Sequence, residues 1–458
     1  MKRERIFGTD GVRGVANRGL TASLAMKLGM AAGHWASGHW NSLHSKRPLV
    51  VIGRDTRISG DMLEAALSAG LNATGVEALN IGVVPTPAVA QITLALKAAA
   101  GVVISASHNP YEDNGIKFFG PDAKKLPDSV EDELEALLDR LDDIELPIGE
   151  KIGTTRYDRE AVKIYLDRIA ATLGGVQSRP LSGLRLVMDC ANGAAYELAP
   201  SLFSELGADL ILLNHMPDGV NINHECGSTK PEEMALAVKQ HKANIGIAFD
   251  GDADRVLLAD ENGEIVDGDQ MMAIIAMDLK KRDLLTNDVV VATIMSNVGL
   301  EKALELEGIR LHRTAVGDRY VAAAMDELSA VVGGEKSGHV LLPMVTPSGD
   351  GLVTALQVLK IAHDSGKTLS SLASVVKYYP QLLKSLRVQS REGWENDLDI
   401  KRVILENSER LANPLWLSVR ASGTEPVIRV MAQGTDQETI NSVVFNICET
   451  IGNRLGLQ

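Results

Sequence analysis

The sequence predicts an α/β protein of several domains, with three α/β units in series followed by a smaller α+β unit. Over most of the chain, apolar runs bounded by Gly and Pro alternate with segments of helical periodicity, which is typical of helices packed on a largely parallel sheet. The segment after residue 378 instead contains several strand-like runs and one long helical pattern. At 458 residues the chain is also too long for one hydrophobic core, since single domains run to about 100–200 residues.

The predicted elements follow in order along the chain. The first unit has predicted strands at 48–53, 76–84 and 101–105 and helices at 61–74 and 87–98. The second has strands at 184–189, 210–214 and 245–249. The third has helices at 270–281, 300–306 and 351–362 and strands at 289–295, 309–314 and 330–332. The last has strands at 385–388, 415–419 and 427–432 and a helix at 437–455. An acidic helix near 129–141 opens the first linker, so we expect domains at 1–153, 154–262, 263–378 and 379–458.

Composition excludes some classes of partner. The formal net charge is −14, from 60 acidic and 46 basic residues, and no block of Lys and Arg offers a surface for nucleic acid. An anionic small substrate remains compatible with this charge, because a pocket needs only a few local cations.

The cysteines Cys190, Cys226 and Cys448 are scattered, which favours a reduced intracellular protein. No run approaches the ~20 apolar residues of a membrane span, so we expect no membrane partner and a cytoplasmic location.

Four unusual loops follow strands of the predicted units. They are residues 105–110, 250–255, 333–339 and 420–426. Open α/β sheets place ligands at the carboxyl ends of their strands, so these loops are expected to converge on one cleft.

The second loop carries Asp250, Asp252 and Asp254, whose spacing lets three carboxylates share a hard cation in extended backbone. An EF-hand is excluded because Arg255 stands where that loop requires Gly, and because strands rather than helices flank it. A plain acidic turn remains the alternative. If a metal binds, an all-oxygen site favours Mg²⁺ over Zn²⁺.

Ser107 is the candidate nucleophile of the first loop, although Ser-His-Asn-Pro is also good turn chemistry. A serine that carries a phosphoryl group needs cations and a metal nearby, and Lys117 and Arg13 are candidate cations. Solvated surface charge is the alternative for both.

The remaining loops suit a phosphorylated sugar. Arg420 offers a guanidinium fork beside hydroxyls and flexible backbone N–H groups, as a phosphate anchor requires. Glu335, Ser337 and His339 are spaced by two residues and could face sugar hydroxyls together. An ordinary turn is the alternative for each loop.

Together, in this order, the four loops resemble the α-D-phosphohexomutase superfamily, and the resemblance covers essentially the whole chain. Residues 7–14, 104–117 and 334–339 are similar to the branch that acts on glucosamine phosphate. The phosphomannomutase/phosphoglucomutase branch usually begins with an aromatic residue and Asp-Ile-Arg-Gly. The resemblance implies three related α/β domains with mixed sheets and a smaller C-terminal domain around a central cleft.

The resemblance also implies residue roles. Ser107 would be the phosphoserine, and its oxygen would complete a Mg²⁺ site formed by Asp250, Asp252 and Asp254. The reacting phosphoryl group would be surrounded by Arg13, His108, Lys117 and Arg255. The sugar would be bound by Glu335, Ser337 and His339, and its distal phosphate by Arg420, Ser422, Gly423, Thr424 and Arg429. Lys117 would carry the proton, with a pKa lowered by neighbouring cations.

The implied reaction converts glucosamine 6-phosphate into glucosamine 1-phosphate through phospho-Ser107 and a 1,6-bisphosphate, for UDP-N-acetylglucosamine and cell-wall synthesis. Activation would require a sugar 1,6-bisphosphate or another source of phosphate on Ser107. A homodimer is expected from the resemblance alone. The alternatives are a phosphomannomutase or phosphoglucomutase with the same machinery, a metal-dependent sugar phosphatase, and a sugar-phosphate-binding regulator without turnover.

Overall fold

The computed structural model describes residues 5–8, 10–39, 47–390, 392–413, 416–421 and 426–456. Across these ranges the chain forms four β-sheets, one for each predicted unit. The first three sheets are mixed and carry helices, and the fourth is antiparallel, so the predicted fold class is confirmed. None of the described helices is long and apolar enough to cross a membrane.

The first sheet has six strands in the order β1-β5-β4-β2-β3-β6. Its strands are β1 (Val12–Val15), β2 (Leu49–Arg54), β3 (Glu77–Val83), β4 (Ala100–Ile104), β5 (Asp113–Phe119) and β6 (Thr155–Tyr157). Its helices are α1 (Ala22–His39), α2 (Gly60–Ala73), α3 (Thr86–Ala95) and α4 (Asp128–Leu138). Antiparallel β5 returns the chain beside β4, so Lys117 comes back towards the loop that follows β4. Strand β6 extends the sheet past residue 153, where the sequence placed the end of this domain.

The second sheet has the order β11-β10-β9-β7-β8. Its elements are α5 (Val162–Ala171), β7 (Arg185–Asp189), α6 (Leu198–Glu205), β8 (Asp209–Leu213), α7 (Glu232–His241), β9 (Ile245–Phe249), β10 (Val256–Ala259) and β11 (Ile265–Val266). Strands β9 and β10 are antiparallel partners, with Phe249 opposite Val256. The acidic loop is therefore the connection of a hairpin, which holds its carboxylates close together.

The third sheet has the order β13-β12-β14-β15. Its elements are α8 (Gly268–Lys281), β12 (Val289–Thr293), α9 (Val298–Leu306), β13 (Arg310–Thr314), α10 (Asp318–Leu328), β14 (Gly333–Gly334), β15 (Val340–Leu341), α11 (Gly351–Ser365) and α12 (Leu369–Ala373). The strand predicted at 330–332 is wrong, because α10 is followed by its C-cap Ser329 in a left-handed conformation and strand pairing begins only at Gly333. Residues 335–339 form the turn between the short strands β14 and β15.

The fourth sheet is antiparallel with the order β16-β18-β17. Its elements are β16 (Gln381–Arg387), α13 (Leu398–Ser408), β17 (Leu417–Ala421), β18 (Val427–Gln433) and α14 (Gln437–Leu455). Buried Gln433 joins this unit to the third, since its amide accepts from Val298 N at 2.9 Å and donates to Ser296 O at 3.1 Å. The side chain of Asn297 likewise bonds both backbone groups of Tyr379 at 2.9 Å.

One hydrophobic cluster runs through the first three units and includes Val51 of β2, Met188 of β7 and Val290 of β12. A separate cluster around Ile440 fills the fourth unit and reaches the third at Val298. The first three site loops are therefore fixed to one continuous core, and the fourth is attached beside it.

Helices α1 and α2 cross in close contact where Gly29 and Gly70 meet. A Cβ on Gly29 would lie 2.3 Å from Leu67 O, and one on Gly70 would lie 2.1 Å from Met26 O. Both distances are far below van der Waals contact, so only glycine allows this approach.

Replacing Gly29 by Ala should therefore destabilise the protein by roughly 1–3 kcal/mol through overpacking. Gly38 lies on the same helix, and a Cβ added there would have no atom within 4 Å, so it provides the matched control. Gly38→Ala should leave the free energy of unfolding unchanged or raise it by up to about 1 kcal/mol. Urea unfolding followed by circular dichroism measures both, and equal curves for the two variants would contradict the close crossing.

Candidate active site

The first site loop begins directly after β4 and holds Ser107 in the left-handed region, at φ 53°. The side chain is 2 % exposed, and its Oγ donates to Asp250 Oδ2 at 2.7 Å. The Ser107 backbone N–H donates to Ser105 Oγ at 2.9 Å, and Ser105 Oγ donates to the buried carboxylate of Asp55 at 2.5 Å. The structure thus brings the candidate nucleophile against the acidic loop of the second unit.

The acidic loop gathers three buried carboxylates at one point. Asp250, Asp252 and Asp254 each offer an oxygen, and these oxygens lie within 4.8 Å of one another. Asp252 Oδ1 and Asp254 Oδ1 are buried without a hydrogen-bond partner among the described residues. Burial and the two neighbouring carboxylates raise the pKa of Asp250 well above its usual value. Crowded carboxylates with oxygens that accept no hydrogen bond fit a divalent cation, because all-oxygen donors suit hard ions.

Lys117 is a buried cation beside this cluster, with its Nζ 2.8 Å from Asp252 Oδ2 and 3.2 Å from Asp10 Oδ2. Burial alone would lower the pKa of Lys117, but Asp10, Asp252 and Asp254 outweigh burial and raise it above its usual value. The expected lowering of this pKa by neighbouring cations is therefore wrong, because carboxylates rather than cations surround the ammonium group. Arg13 makes its ion pair with Asp10, at 2.5 Å.

The ion pairs continue into the third unit. Lys125 Nζ lies 2.5 Å from Asp10 Oδ1 and 2.6 Å from Asp318 Oδ2. His339 completes the path, with Nε2 3.5 Å from Asp318 Oδ2 and Nδ1 3.5 Å from Asp254 Oδ1. Burial would lower the pKa of His339, but Asp254 and Asp318 raise it to about 9. The resulting charge ring joins three units around the site, and it comprises Asp252, Lys117, Asp10, Lys125, Asp318, His339 and Asp254.

His108 lies between Ser107 and Arg255. His108 Nδ1 is 3.3 Å from Ser107 Oγ and 3.1 Å from Arg255 Nη1. Burial, Arg255 and Arg13 lower the pKa of His108 to about 4, so its imidazole is neutral near pH 7. A neutral ring can hydrogen-bond a phosphoryl group, while Arg255 supplies the charge.

The sugar-binding candidates lie in the turn between β14 and β15. Ser337 Oγ donates to Glu335 Oε2 at 3.4 Å, and Glu335 Oε1 accepts from Gly317 N at 3.2 Å. His339 belongs to the same turn, since its carbonyl accepts from Glu335 N at 2.9 Å. The structure therefore places the side chains of Glu335 and Ser337 together in this turn, while the ring of His339 lies between Asp254 and Asp318 of the charge ring.

Arg420 and Arg429 stand directly opposite each other on β17 and β18. Neither side chain makes a hydrogen bond or an ion pair within the described part of the chain. Burial and Arg429 lower the pKa of Arg420, and Glu335 of the sugar turn acts in the opposite direction. Two adjacent cations without such a partner suit a doubly charged anion such as phosphate. The other predicted phosphate ligands, at 422–424 (Ser422, Gly423 and Thr424), lie outside the described residues.

Several residues of this site carry no signal of their own in the sequence. Lys125, Asp318 and Thr86 are not singled out by motif or spacing, and Asp10 lies in the segment 7–14 without being predicted as a site residue, yet all four contact the site. Thr86 Oγ1 donates to Asp252 Oδ2 at 2.7 Å. These residues have ordinary neighbours in sequence, so only the meeting of separate units reveals them.

Four family models match consecutive parts of the chain. They describe the phosphoglucomutase/phosphomannomutase alpha/beta/alpha domains I, II and III, at residues 4–145, 163–263 and 267–379, and the C-terminal domain, at residues 378–450. Solved structures agree in fold. A phosphoglucomutase/phosphomannomutase family protein from Burkholderia thailandensis has a TM-score of 0.81 at 24% identity, covering 100% of this chain and 99% of that one. The N-acetylphosphoglucosamine mutase from Aspergillus fumigatus, solved with GlcNAc-6P and magnesium, has a TM-score of 0.64 at 17% identity, covering 98% and 95%.

Curated relatives are much more similar in sequence. The phosphoglucosamine mutase of Symbiobacterium thermophilum is 50% identical over 452 residues, which cover 98% of this chain and 99% of that protein. The phosphoglucosamine mutase of Desulforamulus reducens is 48% identical over 450 residues, with the same coverage. With four domain models matched in order and about half of its residues shared over nearly its whole length, the chain belongs to the phosphoglucosamine mutases of the phosphohexomutase superfamily.

Proposed function

We propose that this isomerase interconverts glucosamine 6-phosphate and glucosamine 1-phosphate with Ser107 as the phosphoryl carrier and Mg²⁺ in the acidic loop. The observation that carries the proposal is the 2.7 Å hydrogen bond from Ser107 Oγ to Asp250, which joins a buried hydroxyl to a cluster of carboxylates. Phospho-Ser107 transfers its phosphoryl group to O1 of glucosamine 6-phosphate, and the 1,6-bisphosphate then turns in the cleft. The phosphoryl group on O6 returns to Ser107 and leaves glucosamine 1-phosphate.

Asp250, Asp252 and Asp254, with an oxygen on Ser107, would hold the cation. When bound, Mg²⁺ supplies positive charge that stabilises phosphoryl oxygens. The unbonded oxygens of Asp252 and Asp254 support this assignment.

The surrounding side chains divide the remaining tasks. Lys117 keeps its proton on Nζ, because carboxylates raise its pKa, and it supplies positive charge beside the acidic loop. Arg255 and the neutral ring of His108 orient the phosphoryl group on Ser107, and Arg13 adds charge on the side of Asp10. Positioning and charge stabilisation are the main requirements of phosphoryl transfer.

Substrate binding falls to the third and fourth units. Glu335, Ser337 and His339 would bind sugar hydroxyls from one turn. Arg420 and Arg429, with residues 422–424, would hold the phosphate that is not reacting. Two arginines on neighbouring strands support this role, since neither guanidinium makes a hydrogen bond or an ion pair in the described chain.

Three further proposals concern the setting of the enzyme. A cytoplasmic location is supported by three cysteines that are buried free thiols. A homodimer remains a prediction from the family resemblance. Domain bounds near 153, 262 and 378 are proposed as well. The division into four sheets supports four domains, with β6 and β11 extending the first two sheets slightly beyond 153 and 262.

Ser107→Ala should fold normally and lose mutase activity by at least about a thousandfold, since no other group can hold the phosphoryl group between half-reactions. A coupled assay for glucosamine 1-phosphate measures the activity, and intact-mass analysis measures one phosphate per wild-type chain. Ser201, exposed on α6 and bonded only to Glu205 in its own helix, provides the control Ser201→Ala. Substantial turnover in Ser107→Ala would reveal another nucleophile.

Asp252→Asn should weaken Mg²⁺ binding and lower kcat by at least about tenfold, because one of three clustered charges is lost. Titration of the metal-free protein by calorimetry gives the binding constant, and EDTA should inhibit the wild type until Mg²⁺ is restored. Asp278→Asn removes a carboxylate that pairs with Arg282 on the surface of α8 and should change neither quantity. An unchanged metal affinity in Asp252→Asn argues against the acidic loop as the metal site.

Arg420→Ala should raise KM for both isomers about ten- to a hundredfold, as expected for the loss of a charge-assisted bidentate contact worth roughly 1.5–3 kcal/mol. Phosphorylation of Ser107 by high concentrations of glucose 1,6-bisphosphate should persist. Arg402→Ala, which removes an exposed arginine paired within α13, is the control. If Arg420→Ala keeps its KM but loses phosphorylation of Ser107, the phosphate anchor has been placed wrongly.

A further inference from the structure

Two side chains from different units hold the backbone of the Ser107 loop at the same two points. Arg57 Nη2 donates to Ser107 O at 2.9 Å and to Asn109 O at 2.8 Å. Asn223 Nδ2 donates to the same carbonyls, at 2.8 Å and 3.1 Å. We call this arrangement the carbonyl clamp.

The arm of the clamp from the first unit is rigid. Arg57 is 1 % exposed, and its Nε lies 2.9 Å from the buried carboxylate of Asp55. Its Nη1 donates to Asp113 O at 2.9 Å and also to Pro110 O. A planar guanidinium with every nitrogen engaged has one orientation, so it fixes the loop carbonyls relative to β2.

The arm from the second unit is equally confined. Asn223 adopts a left-handed backbone conformation, at φ 58°. A Cβ on Gly251 would lie 2.5 Å from Ser107 O and 2.6 Å from Asn223 Nδ2. Gly251 of the acidic loop is therefore closely packed against Asn223 and the carbonyl of Ser107. A shift of any one of these groups would displace the others.

The clamp acts on a strained residue. Serine disfavours the left-handed conformation that Ser107 adopts at φ 53°, so the loop needs external contacts to keep it. Holding Ser107 O fixes the peptide plane that follows Ser107 and thereby the direction of its side chain. That direction places Oγ on Asp250.

We propose that Arg57 and Asn223 are positioning residues that aim Ser107 Oγ for phosphoryl transfer by holding the carbonyls of Ser107 and Asn109 from two units. The inference rests on the proposed role of Ser107 as the phosphoryl carrier. In the loading step, Oγ forms a bond to phosphorus while the bond from phosphorus to the sugar oxygen breaks. The serine proton ends on that sugar oxygen, so a bisphosphate becomes a monophosphate. The clamp touches no reacting atom, and its loss should slow transfer without weakening substrate binding.

The test replaces Asn223 by Asp, which keeps the shape and removes both Nδ2 donors. Metal-loaded, dephosphorylated enzyme is mixed with glucose 1,6-bisphosphate, and intact mass follows phosphate on Ser107 with time. We expect the loading rate and kcat to fall about ten- to a hundredfold, as misplacement of a reacting group by about 1 Å can do, while KM changes less than about threefold. Asn244→Asp is the matched control, because Asn244 also binds backbone in the second unit, at Arg185 N, away from the site.

Arg57→Lys tests the contact from the first unit. It keeps a positive charge beside Asp55 and loses the guanidinium N–H groups that bind the carbonyls. Because this buried site tolerates change poorly, Asn223→Asp decides the outcome. If Ser107 of Asn223→Asp is phosphorylated at the wild-type rate, the proposed positioning role is wrong. A fall in kcat/KM that arises only from a higher KM would also contradict it. A wild-type enzyme that never carries phosphate on Ser107 refutes the proposed function instead, with Ser107→Ala as the blank.

Discussion

Three carboxylates buried within 4.8 Å of one another are the constraint on which the rest of the site depends. Burial and the like charges of Asp252 and Asp254 raise the pKa of Asp250, since three carboxylates at this distance cannot all ionise in a protein interior without compensation. Lys117 compensates Asp252, and His339 compensates Asp254. Asp10 in turn pairs with Lys117 and Asp318 with His339, and Lys125 pairs with both of these carboxylates. The charge ring therefore follows from the need to balance the acidic loop. Because its members come from three units, the same balance holds the units together.

Features that local pattern encodes could be predicted from the sequence. Strand β9 and helix α14 were predicted at their observed bounds, since each is an apolar run or periodic segment with clear ends. The nucleophile and acidic loops were found because their residue types are unusual, and the structure brings Ser107 to Asp250 as expected. The strand predicted at 330–332 is wrong because the residues that pair with β12 are Gly333 and Gly334, and glycine carries no strand signal in the sequence.

Interactions between units could not be predicted in the same way. Asp318 is separated from Lys125 by nearly two hundred positions, and nothing near either residue indicates the other. Whether the pKa of Lys117 is raised or lowered depends on which charged groups surround its ammonium group in the folded protein. The order of residues along the chain does not show this. Nothing in the sequence around Arg57 marks it as interior, yet it is among the largest fully buried side chains in the described chain.

The facing arginines of β17 and β18 have a thermodynamic consequence. Opposed like charges across a strand pair are unfavourable, so the fourth unit carries an electrostatic cost in the free enzyme. If the proposed phosphate site lies between Arg420 and Arg429, an anion bound there would remove this cost and would bind only the folded sheet. Ligand and fold would then be linked, and each sugar phosphate held at that site would also stabilise the fourth unit, by an amount set by its concentration relative to its dissociation constant.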